Sequence, residues 1–129
     1  MSAGAPTAVS LHRASRTLEL AWADGACHTL SCEYLRVHSP SAEVRGHGPG
    51  QEVLQTGKRL VTIDTIEPVG NYALQFRFSD GHDSGIYAWD YLHTLCRDHA
   101  TLWADYLARL AAAGASREPA GPVLIARQS

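Results

Sequence analysis

Two periods divide the chain. In the first half, apolar and polar residues alternate at the two-residue spacing of a half-buried strand. Leu18, Leu20 and Trp22 share one face, Asp24-Gly25 supplies the positive φ of a tight hairpin, and Cys27-His28-Thr29-Leu30 is the returning strand. Leu60 to Glu67 is rich in β-branched residues, and Pro68 is expected to end its ladder. Gly70-Asn71 then turns the chain into Tyr72 to Phe78, with Tyr72, Leu74, Phe76 and Phe78 on one side. Asp80-Gly81 offers a further turn into a short strand around Ser84 to Tyr87. From Trp89 the period becomes helical. Trp89, Leu92, Leu95 and Cys96 form one stripe, and after a break near Arg97-Asp98 a second follows through Leu102, Trp103, Tyr106, Leu107 and Leu110. Asp98 is expected to cap the second helix, and Gly114 to close it. The pattern predicts an α+β fold: a small antiparallel β-meander with an irregular central loop, covered by two C-terminal helices.

Residues 33–58 fit neither period. They hold His38, Pro40, Gly46, His47, Gly48, Pro49, Gly50 and Gly57, too many turn formers for one long element. A stretch of this length without structure is uncommon in a small domain and is often functional, so the site is expected there. Residues 1–12 and 115–129 are small, polar and broken by Gly and Pro, and are expected as flexible tails around an ordered domain over 13–114. Val123-Leu124-Ile125 is an apolar run within the second tail that would suit docking.

Composition narrows the function. The 129 residues are the length of one domain, and 11 Lys and Arg against 13 Asp and Glu give a net charge of −2. That balance argues against a phosphate-binding surface, and alternation sets Arg77 opposite Phe76 and Phe78, so no nucleic-acid partner is expected. The chain lacks a run of about 18 apolar residues to span a bilayer and a basic, then apolar N-terminus to direct secretion. No membrane association and a cytoplasmic location are expected.

Seven histidines and three cysteines remain. Cys27, His28 and Cys32 lie close together without a matching second ligand pair, and Cys96 sits on a helical stripe. All three cysteines are expected as small buried hydrophobes, and their odd number argues against a disulfide framework. His38, His47 and His82, with Asp83, are the ligand types of an iron or zinc site if the Asp80-Gly81 turn folds over the loop; otherwise each is an ordinary turn residue. Ser39, His82 and Asp83 can be drawn as a triad, but there is no G-x-S-x-G elbow. Gly46-His47-Gly48-Pro49-Gly50 lacks the G-K-[ST] of a phosphate loop.

Three separated stretches carry a resemblance: Leu35-Arg36-Val37-His38-Ser39-Pro40-Ser41-Ala42-Glu43-Val44-Arg45-Gly46-His47-Gly48, Glu67-Pro68-Val69-Gly70-Asn71-Tyr72, and Asp80-Gly81-His82-Asp83-Ser84-Gly85-Ile86-Tyr87-Ala88-Trp89-Asp90-Tyr91-Leu92. Over about residues 15 to 113 the chain resembles the small bacterial DUF971 proteins, which are similar to the N-terminal domain of γ-butyrobetaine hydroxylase-like oxygenases. The resemblance implies a small α+β domain. In those oxygenases the domain carries a zinc site of the form C-x-C-x-x-C with a distant histidine, positions that fall here on Ser39, Ser41, Val44 and His82. That Cys3His zinc site is therefore expected to be absent, with hydrogen bonds and turn packing in its place. The oxygenase domain that holds iron and 2-oxoglutarate is likewise expected to be absent, so hydroxylase activity is not expected. Domains of this family occur fused to P-loop proteins of the iron–sulfur carrier type, which implies an accessory role in iron or iron–sulfur metabolism.

The leading expectation is a non-enzymatic binding or adaptor domain with a protein partner, iron–sulfur assembly factors among the candidates. Its surface is expected at Arg36, Glu43, Arg45, His47, Gln51, His82 and Asp83, polar groups concentrated in irregular segments. The alternative is a metal-binding protein holding iron or zinc through His38, His47, His82 and Asp83.

Overall fold

The computed structural model describes residues 4–46 and 52–119. Strands β1 (Ala8–His12), β2 (Thr17–Ala21) and β3 (Cys27–Ser31) form one antiparallel sheet in the order β1-β2-β3. The short helices α1 (Cys32–Val37) and α2 (Ala42–Arg45) follow. Then β4 (Ile63–Val69), β5 (Ala73–Phe78) and β6 (Ile86–Ala88) form a second antiparallel sheet in the order β4-β5-β6, and the chain continues into α3 (Trp89–Arg97) and α4 (His99–Ala113). The α+β class holds, with two three-stranded sheets where a single meander was expected. The 31 residues between β3 and β4 hold α1 and α2, so the chain leaves the first sheet before it builds the second.

The alternating faces meet in one core. Leu18, Leu20, Trp22 and Leu30 of the first sheet region pack with Ile63, Leu74, Phe76, Phe78 and Tyr87 of the second, and Leu92, Leu95 and Cys96 of α3 close over them. A smaller cluster of Val37, Tyr106 and Leu110 ties α1 to α4, with Leu54 and Trp103 packed against it. Gly114 takes the left-handed conformation at the end of α4 (φ 66°), as glycine does at helix ends.

Several expectations change. Strand β1 lies in the stretch expected as an N-terminal tail, paired from Ala8 opposite Ala21 to His12 opposite Thr17. It is an edge strand of five residues with most positions in solvent, and Val9 and Leu11 give it only one step of apolar alternation, too short to stand out from the small residues before it. At the other end, Gly57 N–H donates to Ser116 O (2.9 Å) and Arg59 N–H to Arg117 O (3.0 Å), which extends ordered contacts past 114. Val123-Leu124-Ile125 lies outside the described residues. Strand β4 runs through Pro68, which sits opposite Leu74; β4 is an edge strand, where a residue without N–H is tolerated. The irregular segment contains α1 and α2, each too short to display a helical period. Ser31 Oγ accepts from Tyr34 N–H (2.9 Å) and Ser41 Oγ from Glu43 N–H (3.2 Å), capping the two. Asp98 makes no side-chain cap; both its oxygens accept from Arg97, each at 3.0 Å. Among the described residues no helix is long and apolar enough to cross a membrane.

Candidate functional site

Two chain segments lock together at the end of α1. Ser39, Pro40 and Ser41 lie between α1 and α2, and the turn Asp80 to Gly85 between β5 and β6 folds onto them. Glu43 Oε1 lies 3.1 Å from His82 Nδ1. A carboxylate only accepts, so Nδ1 carries the hydrogen and Nε2 accepts from the Ser39 hydroxyl at 2.8 Å. Ser39 Oγ also accepts from Ser41 N–H (3.2 Å), and the Ser41 and Ser84 hydroxyls pair at 2.8 Å. A Cβ at Gly85 would stand 2.3 Å from Ser39 Oγ, so only glycine permits so close an approach.

Charge anchors the same turn from below. Asp80 Oδ1 accepts from His82 N–H (3.2 Å), and Oδ2 accepts from Arg36 Nε (2.9 Å) and Lys58 Nζ (2.5 Å). Burial raises the cost of the Asp80 charge, but Lys58, the His82 N–H and Arg36 outweigh it and hold the pKa at about 2. Burial lowers the pKa of His82, helped by the Arg36 charge and opposed by Glu43 and Asp80.

Ser39, His82 and Glu43 have the connectivity of a hydrolase triad with the wrong exposure. The serine is 1% exposed while the Glu43 side chain is 71% exposed. A nucleophile must face substrate with its acid behind it; here the hydroxyl is inside and the acid in water. The arrangement is a latch between two segments.

The same geometry answers the zinc question. At the four positions carried over from the oxygenase pattern stand two hydrogen-bonded hydroxyls, the buried alkyl side chain of Val44, and a histidine with both nitrogens engaged. This donor set does not fit a zinc ion, which takes thiolate, imidazole or carboxylate ligands. Among the described residues no group of three or more His, Cys, Asp or Glu gathers to hold a metal ion.

The other expected site residues scatter. Asp83, one residue from His82, is exposed, and its carboxylate lies 3.8 Å from Arg77. Arg36 is 7% exposed and committed to Asp80, so it and His82 leave the expected contact surface. Glu43 and Arg45 stay on it, with Arg45 over the Tyr91 ring at 4.9 Å. His47 and Gln51 lie outside the described residues. Cys32 and Cys96 are buried as expected, but Cys27 is exposed and donates to Glu19 Oε2 at 2.9 Å.

Beside the latch is a half-open groove of about 570 Å³ between α1, α2, residues 52–55, Tyr91 and α4. Val37, Val44, Val53, Leu54 and the Tyr106 ring give it apolar walls, and Arg45, Glu52 and Arg109 give it charge. His38 also lines it. Its Nδ1 donates to Tyr34 O (2.9 Å), so Nε2 keeps a lone pair; burial lowers the pKa of this ring, although the Tyr34 carbonyl acts the other way. Two tyrosines brace the walls: Tyr91 OH donates to His38 O (2.5 Å) and Tyr106 OH to Gln55 O (2.7 Å). Sequence reasoning missed this wall, because Tyr106 reads as one more core residue of its stripe. Arg109, one turn further along the same helix, was the available signal.

Comparisons with known proteins agree on the lineage. A family model described as Gamma-butyrobetaine hydroxylase-like, N-terminal matches residues 9–93. No curated protein matches. One similar solution structure, determined by NMR, is 51% identical and superposes with a TM-score of 0.81, covering 95% of this chain and 97% of that one. A second NMR structure is 53% identical with a TM-score of 0.77, covering 90% and 86%. A crystal structure of a DUF971 family protein of unknown function from Acidithiobacillus ferrooxidans is 40% identical with a TM-score of 0.59, covering 70% of this chain and 90% of that one.

Proposed function

Because the chain belongs to the gamma-butyrobetaine hydroxylase-like N-terminal family, which includes the DUF971 proteins, we propose that it is a non-enzymatic binding or adaptor domain that receives a protein partner in the groove between α1, α2 and α4. One observation carries the reading. The reactive-looking side chains, Ser39 and His82, are buried and spent on each other, while the open space beside them has apolar walls and a charged rim, the composition of a recognition site. The rim keeps Arg45 from the expected surface and adds Glu52 and Arg109. The setting is the cytoplasm, and the role is accessory to iron or iron–sulfur metabolism, a placement supported by the company related domains keep with iron–sulfur carriers.

Val53, on the groove wall and 53% exposed, gives the test. A photo-crosslinking amino acid at position 53 captures a discrete partner in cells, and the same probe at Tyr72, also exposed but outside the groove lining, does not. Equal labelling from both positions, or none from 53, counts against the reading. A captured partner outside iron metabolism removes the iron assignment alone.

A further inference from the structure

The groove has a chemistry of its own, and the choice of ligand class rests on the groove being the partner-binding site. Val53, 53% exposed, and the half-buried Leu54 give it an accessible apolar wall, over a floor of Val37, Val44 and Tyr106 that belongs to the buried core. Two guanidinium groups, Arg45 and Arg109, stand against one carboxylate, Glu52, so the charge of the lining is positive although the whole chain carries −2. Neither cation is paired with a buried carboxylate. Arg45 rests on Tyr91, and Arg109 contacts Asp105 at 3.3 Å, a surface pair with side chains 43% and 62% exposed; such pairs contribute little and exchange readily. His38 adds an acceptor, because the Tyr34 carbonyl fixes the hydrogen on Nδ1 and leaves Nε2 for an N–H donor.

Shape decides between a small molecule and a chain. Pockets for small ligands bury most of the ligand's surface. This groove is half open, with Val53 53% exposed and Arg45 and Glu52 in solvent. A ligand confined to it would stay half in water, whereas a segment passing through it places an apolar side chain against Val53 and Leu54 and carries on outside. We infer that the groove receives an acidic linear segment of the partner protein, with a large apolar side chain against Val53 and Leu54 and a neighbouring carboxylate held by Arg45 and Arg109.

The probe is a capped peptide of leucine, aspartate and phenylalanine between glycines, titrated into the full ¹⁵N-labelled chain. Its neutral counterpart has asparagine for aspartate, and 3-phenylpropionate is the small-carboxylate arm. The expected result is chemical-shift change centred on His38, Val53 and Leu54, and affinity at least about tenfold higher for the aspartate peptide than for the asparagine peptide, a difference of one decade in Kd. Arg45→Gln and Arg109→Gln alter exposed side chains and each reduces that preference. Equal affinity for the two peptides, or shifts elsewhere, overturns the inference, and phenylpropionate binding as tightly as the peptide overturns the choice of a chain segment. These outcomes are separable from failure of the groove as a site: a crosslink at position 53 without carboxylate preference leaves the groove standing and removes only the acidic segment.

Discussion

The Ser39 hydroxyl and the His82 imidazole, in segments joined by more than forty residues of chain, meet at 2.8 Å inside the protein, and the bond holds the β5–β6 turn against the α1–α2 loop. Ser39→Ala leaves His82 Nε2 buried without a donor. An unsatisfied buried group of this kind costs about 1–3 kcal/mol, and the urea midpoint should fall accordingly. Because the latch consists of hydrogen bonds, a chelator added to the parent protein should leave its melting temperature unchanged. A chelator-sensitive transition would point back to a metal held by the histidines.

Gly85 and Ser39 provide a sharper version. Gly85→Ala puts a methyl where Ser39 Oγ stands, and such overpacking costs about 1–3 kcal/mol. Adding Ser39→Gly removes the obstructing atom, so the double variant should be more stable than the sum of the single losses. Strict additivity in the denaturation cycle would show that the two segments do not meet there.

The latch also sets a pH dependence. The folded-state pKa values of His38 and His82 lie below their ordinary value of 6.5, chiefly through burial. Below 6.5 the unfolded chain therefore binds protons that the folded chain refuses, so stability is full above that pH and declines as pH falls through it toward the folded values. Asp80, held at about 2 against 3.8, adds a second loss between those two values. Denaturation midpoints followed from pH 8 downward should fall first through the histidine window and then through the carboxylate window, and His82→Asn should reduce the first to the part His38 contributes.

Arg117 clamps the chain after α4. Its guanidinium donates to both Glu33 oxygens at 2.8 and 2.7 Å and lies over Trp103 at 5.2 Å. Glu33 is 3% exposed, so Arg117→Ala strands a buried carboxylate. Loss of one partner of a buried pair costs about 3–5 kcal/mol, and the part-exposed arginine lowers the expectation here to about 1–3 kcal/mol. Glu33→Gln combined with Arg117→Gln should recover part of that in a thermal melt.

Much of this architecture was legible because burial imposes period. Leu18, Leu20, Phe76, Phe78, Leu92 and Leu95 all face the core their spacing indicates. Strand β1 was hidden because five residues with Val9 and Leu11 alone give too short an alternation, and α1 and α2 because six and four residues hold too little of a helical repeat. The site shows the same divide. The pairing of Ser39 with His82 was within reach of the sequence, but the acid is Glu43. Asp83 adjoins His82 in the chain, but its carboxylate is exposed and lies toward Arg77 rather than the imidazole. The groove depends on which helix face meets residues 52–55, a long-range relation that no local pattern records.

Latch and groove are separate devices, one for stability and one for binding, and retention of the partner captured at position 53 distinguishes them when measured side by side on folded Ser39→Ala and Val53→Arg proteins. Ser39→Ala should be less stable yet hold the partner as the parent does, and Val53→Arg should keep its stability and release it. Loss of the partner in Ser39→Ala, with Val53→Arg still binding, would contradict that separation.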